Sequence, residues 1–99
     1  MPYLSIIIPI LNEASLLRRS SALLQQLHDA YELILVDGGS EDDSVRYAQS
    51  QGFTVISSDS GRGLQLAAGV QSSHSAFLAF MHLDCSLELP HFVAIYQTL

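Results

Sequence analysis

The chain contains no lysine. Its four cations are Arg18, Arg19, Arg46 and Arg62, set against ten Asp and Glu residues, and the formal net charge is −6. A surface this acidic lacks the basic patch that nucleic acid or an anionic membrane would require, although one local anion site remains possible around an arginine. The missing lysine also removes two nucleotide chemistries. A P-loop needs Gly-Lys-Ser/Thr to cradle phosphates, and a phospho-receiver domain relies on a lysine beside its acids. Cysteine is nearly absent: the single Cys85 cannot close an internal disulfide, which argues against a small secreted fold held by bridges. No run of apolar residues is long enough to span a bilayer, since "LSIIIPIL" is short and interrupted by Pro9, and Met1-Pro2-Tyr3 carries no basic leader. A cytoplasmic location is the expectation, with a membrane association of a longer protein left open.

What the chain has in quantity is apolar residues, 48% of the 99. A chain of this length buries roughly 60–70% of its unfolded surface, enough for one core. The apolar residues fall into short runs with a regular alternation. "YLSIII" (3–8) is β-branched and closed by Pro9, which predicts a strand buried on both faces. In 12–27, Leu16, Leu17, Leu23, Leu24 and Leu27 recur on one helical face, with Asn12 as the expected N-cap. "YELILV" (31–36) is a second strand, followed by the turn "DGGSEDD" and a helix for which Ser40-x-x-Asp43 has the form of a capping box and Gly52 marks the end. "FTVIS" (53–57) is a third strand, 64–73 a helix after the loop "SDSGRG", and "AFLAFMHL" (76–83) a fourth strand. Pro90 is expected to open a last helix. A helix after every strand predicts an α/β fold with a Rossmann-like parallel sheet covered on both faces.

In open parallel sheets, ligands bind beyond the carboxyl ends of the strands, where the strand order reverses. The candidates are therefore Asn12 and Glu13 after the first strand, Asp37, Ser40 and Asp42 after the second, Asp59, Gly61, Arg62 and Gly63 after the third, and His82 and Asp84 after the fourth. Several have a purely structural alternative: Asn12, Glu13, Ser40, Asp42 and Asp43 suit helix caps, Gly38-Gly39 suits a turn, and a lone His82 suits a strand end. Asp37 and Asp84 are harder to explain that way, because a carboxylate directly after an apolar strand needs donors. The first turn, "PILNEAS", lacks the G-x-G-x-x-G of a dinucleotide site. A carboxylate-rich rim can still hold an anionic nucleotide in two ways. It can accept N–H and O–H donors from a base or ribose, which suits Asp37, or it can bind a divalent cation that neutralises phosphates, which suits Asp84 with His82 as a helper. Oxygen donors favour Mg or Mn, and Arg62 offers a fixed positive charge for phosphate.

"SIIIPILNEASLL", "ELILVDGGSEDDSV", "GRGLQLAAGV" and "AFLAFMHLDCSLELP", in this order along nearly the whole chain, together resemble family-2 glycosyltransferases of the GT-A fold. The resemblance implies an inverting, metal-dependent enzyme that transfers a sugar from a UDP- or GDP-linked donor to an acceptor. It implies that Pro9, Asn12 and Glu13 line the nucleoside pocket, that Asp37 accepts from the base, and that Arg62 with its flanking glycines approaches the nucleotide. The family's Asp-x-Asp metal motif falls on His82-Leu83-Asp84, so that Asp84 would be the metal ligand while the first aspartate is replaced by His82; a branch with GRG-x-Q and His-x-Asp is closest. By the same resemblance residues 1–99 are the nucleotide-sugar-binding part of a longer domain. The general base and acceptor pocket would then lie beyond Leu99, the segment alone would be inactive, and it would self-associate through apolar surface. Two other readings compete. One is a non-catalytic α/β nucleotide-binding or scaffold module whose rim acids only cap helices. The other is a sugar-nucleotide pyrophosphorylase, which needs a glycine-rich loop where "PILNEAS" stands.

Overall fold

The computed structural model describes residues 3–83 and 91–97, with His82 and residues 91–97 described by their backbone. The elements run β1 (Leu4–Ile10), α1 (Ala14–Arg19), α2 (Ser21–Ala30), β2 (Glu32–Asp37), α3 (Ser44–Ser50), β3 (Thr54–Ser57), α4 (Arg62–Ser72), β4 (Phe77–His82) and β5 (His91–Gln97). They form one five-stranded sheet in the order β3-β2-β1-β4-β5. The first four strands are parallel, as expected. β1 is central, and the order reverses there: the chain moves outward from β1 to β2 and β3, then returns to its other side with β4.

Alternation along β1 divides the core into two layers. Ile6, Ile8 and Ile10 pack with Leu17, Leu24 and Ala48 from the helices before and after β2, together with Leu33 and Leu35. Ile7 packs on the opposite face with Ile34, Val36 and Leu78, against Leu66 and Ala68 of α4. β-branched side chains suit such a doubly covered strand, and each fully buried isoleucine contributes about 1.5–3 kcal/mol. α4 crosses close to the sheet because Gly69 has no side chain; a Cβ there would collide with Ile7 and press on Val36. α3 ends as the sequence predicts. Gly52 is left-handed (φ 84°), its N–H donates to Gln49 O at 3.0 Å, and the Phe53 N–H donates to Ala48 O at 3.1 Å, which is the Schellman pattern.

Four expectations are corrected. The segment after Pro90 is a strand, not a helix: β5 pairs antiparallel with β4, with a register irregularity at Phe80/Met81. "HFVAIYQ" is rich in aromatic and β-branched residues, and the free edge of β4 offers a ladder that outweighs the helix-start preference of proline. The single helix over 12–27 is two, broken at Ser20 beside Ser21, where serine pairs commonly kink helices. Ser40 does not cap α3, which begins at Ser44 with Asp43 at the N-cap position. Nor is Asn12 the N-cap of α1; Glu13 holds that position, and Asn12 adopts φ 52°, in the left-handed region that asparagine tolerates better than most residues.

β1 also runs past Pro9 to Ile10. Its pairing with β4 covers Leu4–Ile7 only, whereas its pairing with β2 continues through Ile10. Proline has no N–H to give, and the pairing of β1 with β4 does not continue beyond Ile7, at the point where strand order reverses. At the other end of the sheet, Glu32 accepts from the Ser5 hydroxyl and from the backbone N–H of His74, tying β2, β1 and the end of α4 together.

Gly69→Ala should destabilise the protein by about 1–3 kcal/mol through overpacking. Denaturant unfolding checks this, and an unchanged midpoint would mean that α4 does not approach Ile7 as closely as described.

Candidate functional site

Beyond their last residues, β1 and β2 must satisfy backbone groups that no further strand can pair. They do so with each other's loops. The Gly38 N–H donates to Ile10 O at 3.0 Å. The Asn12 N–H donates to Ser40 Oγ at 2.8 Å, and Asn12 Oδ1 accepts the Glu41 N–H at 2.7 Å in return. The Glu13 N–H donates to Ser44 Oγ at 2.9 Å, and the Ala14 N–H reaches Asp42 Oδ2 at 3.3 Å. Leu11 donates to Glu13 Oε1 at 3.2 Å. The N–H groups of residues 11–14, at the opening of α1, are thus all taken by side chains, and α1 has none of these free for an anion.

Asp37 ends β2 beside Ile10 and is buried. Its Oδ2 accepts the Gly39 and Ser40 N–H groups, each at 3.0 Å, and its Oδ1 accepts the Ser40 hydroxyl. These three donors resolve the problem of a carboxylate at a buried strand end and give the β2–α3 loop its shape. Asp42 is similarly engaged: the Ser44 hydroxyl and N–H donate to it, and these bonds hold its carboxyl below the usual range against the opposing effect of desolvation.

The binding space lies alongside. A cleft of about 230 Å³ is lined by Pro9, Ile10, Leu11 and Glu13 from the end of β1 and by Ser60, Gly61, Arg62 and Gln65 from the start of α4. Of the expected residues it therefore brings together Pro9, Glu13 and Arg62. Asn12 and Asp37 are not among its lining residues; they hold the loops behind one wall. Asp59 is exposed in the β3–α4 loop. His82 ends β4, and Asp84 lies outside the described residues. Among the described residues, no group of three or more His, Cys, Asp and Glu side chains gathers to hold a metal.

Two cleft residues carry opposite charges. Burial pushes the Glu13 carboxyl above its ordinary value of 4.5; the Leu11 N–H and the Arg62 charge oppose that rise, and Asp42 adds to it. Arg62 is exposed at the first turn of α4, so its guanidinium is free to meet a ligand at the cleft mouth. Gly61, with φ 131°, provides the turn into the helix, in a conformation that residues with a side chain rarely adopt.

Gln65 is the residue the sequence reading did not assign. It is 4% exposed, and its Nε2 donates to Ile10 O at 3.0 Å and Val36 O at 2.9 Å, joining the ends of β1 and β2 from below. The amide lies against Gly38, where any Cβ would come within 2.8 Å of Gln65 Cδ. A signal was present in the sequence: Gln65 and Gly69 are four apart and so share one helix face. A polar side chain on a face close enough to the sheet to need glycine must find partners.

An α/β sheet with a polar cleft beyond its central strand, at the reversal of strand order, belongs to the ligand-binding class of open-sheet domains. The chain belongs to glycosyl transferase family 2, whose family profile matches residues 5–94. It is 32% identical over 101 residues to glycosyltransferase AglE of Haloferax volcanii, with 92% of this chain and 32% of that protein covered. It is 34% identical over 98 residues to an undecaprenyl-phosphate 4-deoxy-4-formamido-L-arabinose transferase of Klebsiella pneumoniae, covering 87% of this chain and 29% of the relative. Among solved structures it resembles glucosyl-3-phosphoglycerate synthase from Mycobacterium tuberculosis in complex with Mn²⁺, UDP and glucosyl-3-phosphoglycerate. The TM-score is 0.74 at 26% identity, with 84% of this chain and 34% of that one covered. The chain thus spans about a third of the length of these relatives. Among the described residues, no helix is long and apolar enough to cross a membrane.

The raised Glu13 carboxyl has a definite sign in stability. The folded state holds this proton more tightly than the unfolded state, so stability is lost as pH rises from about 4.5 through the higher folded value. Glu13→Gln keeps an acceptor for Leu11 and removes the buried charge. It should be more stable than wild type at pH 7, with the difference closing below pH 4.5. Urea unfolding of both proteins across pH tests this; a constant difference would sink it.

Proposed function

We propose that the chain is the donor-binding part of an inverting glycosyltransferase that moves a sugar from a nucleoside diphosphate to an acceptor. The observation that carries this reading is the cleft between the end of β1 and the start of α4. One wall is apolar, from Pro9, Ile10 and Leu11, and suits a base and ribose. Near the mouth stand Arg62 and the amino end of α4, both of which favour a diphosphate. The relatives support the reading, because solved structures of the mycobacterial synthase hold UDP with Mn²⁺ or Mg²⁺. The donor is UDP- or GDP-linked in this proposal, and Glu13 faces its ribose.

Asn12 and Asp37 act through the loops they hold, and Asp37 shapes the turn behind the base. Asp84 is assigned as the ligand of Mg or Mn, with His82, two residues earlier in the His-x-Asp motif, as its helper. A carboxylate oxygen fits a hard divalent cation. Such a cation neutralises the diphosphate as it departs, which is electrostatic catalysis. A cytoplasmic site of action belongs to the same proposal, in keeping with a lone cysteine. So does self-association, for which the exposed Leu11, Leu64 and Val70 offer apolar surface. A monomeric mass by light scattering at high concentration would count against that part.

Calorimetry with Mn²⁺ and UDP or GDP tests the central claim. Binding should require the cation in wild type, and Asp84→Ala should abolish that dependence. Arg62→Gln should weaken binding by about tenfold to a hundredfold, the value of a charge-assisted hydrogen bond. Cation-dependent binding that Asp84→Ala leaves intact would remove Asp84 from the role, and no binding of either nucleotide would overturn the proposal.

A further inference from the structure

We propose that Gln65 reads the base of the bound nucleotide as a locked hydrogen-bond acceptor, selecting a base that presents an imide N–H. This rests on the cleft being a nucleoside diphosphate site. A glutamine amide is ordinarily ambivalent, because it can rotate to offer either N–H or C=O. Here it cannot. Nε2 stands 3.0 Å from Ile10 O and 2.9 Å from Val36 O, so both of its protons are committed to strand-end carbonyls. Rotation would set Oε1 against those two oxygens and lose both bonds. The same contacts identify which amide atom is nitrogen, since only a donor can lie between two carbonyl oxygens.

The other end of the amide is left over. Oε1 takes no hydrogen bond from the described residues. Yet no fully enclosed polar side-chain atom among those residues lacks a partner. None of the described residues occupies Oε1, which leaves it to a group from outside them, and Gln65 lines the cleft. The residue is 96% buried (4% exposed), so this oxygen is a fixed acceptor on an otherwise enclosed side chain.

The position favours the base over other parts of the ligand. Arg62 precedes Gln65 by three residues on α4, so the two share one helix face, with the cation exposed and the amide buried. A diphosphate held by Arg62 leaves the deeper space beside Pro9, Ile10 and Gln65 to the nucleoside. Of its parts, only the base combines apolar faces with a hydrogen-bonding edge. A uracil-type imide N–H satisfies Oε1, whereas the N3 lone pair of cytosine would face it in repulsion. Asp37, by contrast, already accepts three donors in its own turn.

The test is calorimetry in Mn²⁺ with UDP, CDP and N3-methylated UDP on wild type and Gln65→Met, with a thermal melt of each protein. Wild type should bind UDP about tenfold or more tightly than CDP or the methylated analogue, because a buried acceptor left unpaired is costly. Gln65→Met should reduce that preference to near unity. Should the variant not fold, the ¹³Cδ resonance of Gln65 in wild type decides the matter: it should move with UDP and stay with CDP. Equal binding of the three nucleotides to wild type, a folded Gln65→Met that keeps the preference, or a ¹³Cδ signal indifferent to UDP would overturn the assignment of Gln65 while leaving a nucleotide site intact. Failure of all three nucleotides to bind would overturn both readings.

Discussion

Where β1 and β2 end side by side, backbone N–H and C=O groups remain that no further strand can pair, and the Ile10 and Val36 carbonyls among them are buried. Meeting that requirement organises one end of the molecule. Ile10 O receives both the Gly38 N–H and the Gln65 amide, and Val36 O receives the same amide. The N–H groups of residues 11–14, which lead into α1, are taken by Glu13, Ser40, Ser44 and Asp42. An unmade hydrogen bond at a buried position costs about 1–3 kcal/mol, so the amide bonds to Ile10 O and Val36 O are the ones the fold can least lose.

This requirement divides the acidic rim into two sets. Asp37 and Asp42, together with Asn12, Ser40 and Ser44, are engaged in hydrogen bonds that shape the β1–α1 and β2–α3 loops and hold them against each other. They tie loop to loop; α1 and α3 have no side-chain cap bond. Glu13, Arg62 and Gln65 line the cleft. A rim that looks uniformly hostile to phosphate by composition thus exposes one carboxylate and one guanidinium to the cleft, beside the opening of α4.

Pro9 reads differently in the sequence and in the fold. In the sequence it reads as the end of a strand. In the fold β1 continues through it, and it is the pairing with β4 that stops before it. The pairing with β4 stops where strand order reverses, and Pro9 lies on the wall of the cleft between the end of β1 and the start of α4.

The four parallel strands, their helices and membership of a glycosyltransferase family were legible in the sequence, because β-branched runs, leucine spacing and four ordered motifs are local signals. Glu13 and Arg62 were legible as rim residues because each stands between a strand and a helix, whereas Pro9 was legible only through the family resemblance. The sequence could not show that Asn12 would be occupied by the neighbouring loop, since its partners lie 28 to 30 residues away, or that Asp37 would be occupied by its own turn, whose geometry is set by packing. Nor could it show that "HFVAIYQ" adds to the sheet, a choice made by the free edge of β4. Local pattern determined which elements form. Only the tertiary structure decided which polar groups face one another and which are left to a ligand, because that depends on which strand ends lie side by side.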